Sequence, residues 1–168
     1  MTTILFYILG FIMLAATLMC ITRRNPVHAV IYLVAGFFAL ALMFYLLGAP
    51  LVAAWEIIVY AGAIMVLFLF IIMMLGLAPQ DTPEGPGWQR WGPLVLLSAS
   101  LMVCTVLLIM QDPAADKEIA DFYLAPQAVG EALFGRYVLA VEMVSFQLLF
   151  ASIGAYLLGR PLPKGEDQ

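Results

Sequence analysis

Charge is scarce in this chain of 168 residues: seven basic and eleven acidic side chains make up 11%, against 65% hydrophobic residues. A soluble domain carries about 25% charged residues, so the polar side chains here are too few to clothe a globule in water. High hydrophobicity with little charge also excludes a disordered chain. Cysteine and histidine are nearly absent. Cys20 and Cys104 each lie inside an apolar run and read as small packing residues, and His28 is the single histidine. That inventory excludes an iron–sulfur cluster or a bis-histidine haem held by this chain. No Walker loop, nucleotide-binding glycine pattern or nucleophile elbow occurs either. The net charge of −4 gathers largely in one acidic segment and argues against a polyanion-binding role.

What the chain has instead is long apolar runs, for which a bilayer is the natural solvent. The first, residues 4–21, has no charged side chain before it and no small-residue cleavage site after it, so it is expected to be a retained helix. Residues 27–78 then contain one charge, Glu56. As a single helix this stretch would measure about 78 Å, more than twice a bilayer core of about 30 Å. It must fold back, and Gly48-Ala49-Pro50 is the turn-forming cluster near its middle. The reading is an all-α integral membrane protein, a single membrane domain over 1–168, with five spans near 4–21, 27–47, 51–77, 93–110 and 137–159. Loops are expected over 78–92, where Trp88 and Trp91 would mark an interface, and over the acidic stretch 111–136.

Orientation follows the basic residues. Arg23, Arg24, Arg90, Arg160 and Lys164 fall on one side, Lys117 and Arg136 on the other. The excess places the C-terminus and loop 78–92 in the cytoplasm, and the N-terminus and loop 111–136 outside, in the periplasm.

Two acids lie within spans, Glu56 in the third and Glu142 in the fifth. An acid at mid-bilayer costs about 2.5–3.5 kcal/mol on insertion scales, so each must face a partner or water and is a candidate proton carrier. Each is also near its helix start, where reaching headgroup water or capping a helix is the competing reading. Both fall in the same outer half of the membrane. With α-helical spacing, Tyr60 shares a face with Glu56 and brings a hydroxyl to it. Ala61-Gly62-Ala63 permits close helix approach or a local change of winding, with simple packing as the alternative. Asn25-Pro26 reads as an N-cap followed by a first-turn proline, with His28 a hydrogen-bonding residue of that cap region.

Two segments carry a resemblance. Asn25-Pro26-Val27-His28-Ala29 and Glu56-Ile57-Ile58-Val59-Tyr60-Ala61-Gly62-Ala63-Ile64-Met65-Val66-Leu67-Phe68 closely resemble the J subunit family of bacterial NADH:quinone oxidoreductase, complex I, whose mitochondrial counterpart is NADH dehydrogenase subunit six. Val129-Gly130-Glu131-Ala132-Leu133-Phe134-Gly135-Arg136-Tyr137-Val138-Leu139 to Glu142 resembles the run into that family's last helix. The likeness covers essentially the whole chain in the same five-span order.

The resemblance implies a subunit of the bacterial inner membrane without a redox centre. NADH, FMN, iron–sulfur clusters and quinone would be handled by other subunits. Expected neighbours are the quinone-site subunit, the small three-helix subunit that carries membrane glutamates, and the antiporter-like subunits. It further implies a π-bulge in the third helix that relaxes as the helix rotates, opening or closing a water path for protons. Carried onto this chain, Tyr60 to Phe68 is the switch: Gly62 permits it, Met65 and Leu67 ride on it, and Val66 and Phe68 are apolar gates. Glu56, Tyr60 and Glu142 are the proton-path candidates. Two other readings stand beside this one, a subunit of a related multi-subunit cation/proton antiporter and a purely structural membrane scaffold.

Overall fold

A computed structural model describes residues 2–76, 87–111 and 124–160, and over these the chain is helical apart from short connections. Helix α1 runs Thr2–Thr22, α2 Pro26–Leu46, α3 Pro50–Met74, α4 Gly87–Gln111, α5 Pro126–Glu131 and α6 Val138–Gly159. Five of them, all but α5, are long and apolar enough to cross a bilayer. The chain divides into two compact units, Met1–Ala125 and Pro126–Gln168.

In the first unit, α2 is the central helix. Its start is set by Asn25, whose side-chain Oδ1 accepts a hydrogen bond from the Val27 N–H at 3.0 Å, with Pro26 in the first turn where no N–H is needed. Its end is a Schellman turn. Gly48 takes φ +80°, its N–H bonds the Tyr45 carbonyl at 3.1 Å, and the Ala49 N–H bonds the Phe44 carbonyl at 3.0 Å. Pro50 then opens α3, so the turn expected at Gly48-Ala49-Pro50 is where the chain reverses.

One core cluster is a seam with four-then-three spacing. Leu5, Leu9, Ile12 and Ala16 of α1 pack with Leu97, Leu101, Cys104 and Leu108 of α4, and Ala39 and Leu46 of α2 close it. Cys104 is a core residue, as its apolar setting suggested. At the turn between α1 and α2, the Arg23 guanidinium lies 5.1 Å from the Tyr32 ring centroid, and its Nη2 donates to the Tyr32 hydroxyl at 3.2 Å. A second cluster joins Val30 of α2 to Met65 and Ile72 of α3, flanked by Val34, Phe37 and Leu69.

Two expected loops are partly helical. Helix α4 begins at Gly87, inside the stretch 78–92, although the part fit to cross a membrane starts at Gly92. Pro93 was expected to open the helix but is its seventh residue, where it has no N–H to offer the carbonyl four residues back. Trp88, Arg90 and Trp91 fall in the first turns of α4, and Lys117 and Lys164 lie outside the described residues. The stretch 111–136 contains α5 followed by a π-wound turn, Ala132–Arg136. Pro126 is well placed at a helix start, and Gln127 Nε2 reaches Glu131 Oε1 at 3.3 Å one turn on. The π turn closes with the Tyr137 N–H on the Ala132 carbonyl at 3.0 Å. The acidic composition of the stretch concealed this helix, whose Gln, Ala, Val and Glu residues are compatible with it.

Candidate functional site

Helix α3 carries the residues of interest, and its winding is unusual. Pro50–Trp55 is α-helical, Glu56–Ile64 is π-wound, and Met65–Met74 is α-helical again. The Met65 N–H closes the π segment on the Tyr60 carbonyl, five residues back. The pattern of burial reports the same thing independently. Ala53, Glu56, Ala61, Met65 and Ile72 are buried, with Leu69 half-buried between the last two. From Glu56 to Ala61 the step is five residues, which α geometry does not allow on one face. From Ala53 to Ile72 the helix uses nineteen residues for five turns, where an α-helix uses about eighteen. One extra residue is wound in.

That insertion changes the neighbours of Glu56. It is the one buried charged side chain among the described residues, 7% exposed. The α-helical expectation put Tyr60 on its face; in the π winding Ala61 takes that place. Tyr60 is turned outward, 47% exposed, and its ring meets Phe37 of α2 at 5.6 Å between centroids. No hydrogen bond joins Tyr60 to Glu56 among the described residues. Tyr60 stands about 15 Å down the helix from Pro50.

Gly62 lies within the π segment. A Cβ built on it would lie 3.1 Å from the Ile57 carbonyl oxygen, five residues back, closer than ordinary van der Waals contact. The switch residues expected from Tyr60 to Phe68 therefore divide. Tyr60 to Ile64 belong to the π segment, which starts earlier than expected, at Glu56. Met65, Val66, Leu67 and Phe68 open the α-helical part below it. Met65 is buried against α2, while Val66, Leu67 and Phe68 are exposed.

Glu142 lies in the second unit, in the second turn of α6. His28 is half-buried in the first turn of α2. No group of three or more potential metal ligands forms among the described residues. Sequence reasoning missed Phe37 and Ala61: nothing marks Phe37 among the aromatics of α2, and Ala61 is chosen by the winding itself.

Comparison with known proteins decides the family. The model of NADH-ubiquinone/plastoquinone oxidoreductase chain 6 matches residues 15–158. The chain belongs to that chain 6 family. NADH-quinone oxidoreductase subunit J of Escherichia coli strain K12 is 44% identical over 164 residues, 96% of this chain and 88% of the relative. Subunit J of Pseudomonas aeruginosa is 43% identical, covering 92% of this chain and 95% of the relative. Subunit J of Rhodobacter capsulatus is 36% identical, covering 91% and 79%. The five apolar helices and the π-wound third span are thus features of a chain 6 family member, and each of these relatives is by name an oxidoreductase subunit.

Proposed function

We propose that this chain is a membrane subunit of a proton-translocating NADH-quinone oxidoreductase and that α3 couples quinone reduction to proton movement by changing its winding. The observation that carries this reading is the buried register of α3, with its one extra residue between Glu56 and Met65. Returning that residue to α winding turns the part of α3 below Ile64 by about 100° relative to Pro50–Trp55. Ile64, Phe68 and Ile71 would then face α2 in place of Met65, Leu69 and Ile72. All six side chains are apolar, so either arrangement buries similar surface. An element with two packings of similar free energy is what a coupling device requires.

The rotation also changes what Glu56 meets. In α winding Tyr60 replaces Ala61 one turn from the carboxyl group and brings a hydroxyl to it. Val66 and Phe68 swing with the lower helix, and their apolar bulk admits or excludes a file of water. The π segment suits a place against protein or water, because its weakened backbone pairing is not tolerated against lipid. Glu56 and Glu142 are the proton-path acids of this reading, and Met65 and Leu67 turn with the switch.

The subunit sits in the bacterial cytoplasmic membrane with its N-terminus outside and its C-terminus inside, following the excess of arginine and lysine. It works beside the quinone-site subunit, the small three-helix subunit with membrane glutamates and the antiporter-like subunits. NADH, FMN, iron–sulfur clusters and quinone are handled by those and other subunits. Gly62→Leu tests the switch: quinone-linked proton pumping should collapse while NADH oxidation by an artificial acceptor continues. Normal pumping in a fully assembled Gly62→Leu complex would refute it.

A further inference from the structure

A rotating helix must be held at one end, and a single hydrogen bond outside the helices shows where. In the Schellman turn, the Gly48 and Ala49 N–H groups are spent on α2, and the Ala49 carbonyl accepts the Ala53 N–H at 3.1 Å to start α3. The carbonyl of Gly48 has no role in either helix. It accepts a hydrogen bond from the Leu124 N–H at 2.9 Å, across a gap of 76 residues in sequence. Gly48 is buried, whereas the Leu124 side chain is 54% exposed, so the contact is made by the backbone and not by the leucine itself. Below the π segment, α3 meets α2 through Met65, Leu69 and Ile72 alone within the second core cluster, contacts that apolar neighbours can replace.

We propose that the Leu124 backbone is a strap that pins the α2–α3 turn, holding the upper part of α3 still so that a change of winding is expressed entirely below Ile64. Leu124 is then a positioning residue for the coupling step. This rests on the winding switch proposed above.

The test uses the assembled complex with Cys20 and Cys104 replaced by alanine and spin labels on exposed positions. One label is on Leu14 of α1, and the other is on Ala54 above or Met73 below the π segment. Between resting and quinone-reducing states, the Leu14–Met73 distance should change and the Leu14–Ala54 distance should not. Leu124→Pro deletes the donor, and should make the Ala54 distance vary as well and lower the number of protons moved per NADH. Leu124→Ala keeps the N–H and should behave as the parent. An assembled Leu124→Pro complex with a fixed Ala54 distance and an undiminished proton ratio overturns the strap. A Met73 distance that never changes in the parent overturns the switch instead. If the proline variant fails to assemble, amide exchange in the parent decides. Slow exchange of the Leu124 N–H throughout turnover supports the strap, and exchange that quickens during turnover overturns it.

Discussion

Gly62→Ala is the smallest change that should bias the winding of α3. The added Cβ would sit 3.1 Å from the Ile57 oxygen, and ordinary contact begins near 3.4 Å. Bends of a few degrees, shared between the Cβ bond angle and the carbonyl, relieve this at a cost of about 1 kcal/mol. In α winding the Gly62 N–H pairs with the residue four back and alanine fits without strain. Alanine's general advantage over glycine, about 1 kcal/mol, applies to both windings and cancels in their ratio. The balance between them should therefore move toward α by about fivefold. Assembly should be intact, since helix propensity improves. In inverted membrane vesicles, quinone-linked proton uptake should slow by up to that factor, while NADH oxidation by ferricyanide holds its rate. Amide exchange across residues 57–65 should change in parallel. An unaltered pumping rate together with unaltered exchange would refute the argument that Gly62 sets the winding.

Other outcomes follow from the same geometry. Glu56→Gln keeps the shape of the buried side chain but not its charge, and should reduce the pumping rate partially at normal assembly; an unchanged rate and stoichiometry would return Glu56 to an interfacial role. Arg23→Ala strips the hydrogen bond from the Tyr32 hydroxyl, which is on a residue only 2% exposed, and should cost about 1–3 kcal/mol of stability, read as a lower unfolding temperature of the complex. Tyr32→Phe removes the hydroxyl along with its need and should cost less. Cysteines placed at Arg24 and Leu47, both exposed, should label from the cytoplasm and the periplasm respectively, and the reverse would invert the topology.

Much of this fold was written in the sequence because a bilayer simplifies the problem. An apolar run of about twenty residues has one economical conformation there, so the five spans and the turn at Gly48-Ala49-Pro50 could be placed from composition and breakers alone. Asn25-Pro26 marked a helix start for local reasons, a side-chain acceptor followed by a residue without an N–H. The α5 helix was missed because its segment is read by charge before it is read by propensity. The site was half legible. Glu56 stands out as an acid in an apolar run, and Gly62 as a small residue beside Tyr60. The residue that shares the buried face of Glu56 did not stand out, because periodicity assumes 3.6 residues per turn and the extra residue violates that count. Tyr60 was therefore assigned to the side of Glu56 that Ala61 occupies. Phe37, against which the Tyr60 ring rests, is fixed by how α2 meets α3, a contact between segments that local pattern does not encode.

Disulfide trapping across α2 and α3 tests the switch most directly. With the native cysteines replaced, a cysteine at Val34 is paired in turn with Met65→Cys, which faces α2 in the π winding, or Ile64→Cys, which would face it in the α winding. The switch predicts that both pairs cross-link in complexes turning over NADH and quinone, that either cross-link stops pumping, and that a reductant restores it. Cross-linking at Met65 alone under every condition, with pumping undisturbed, would show that α3 keeps one winding throughout the cycle.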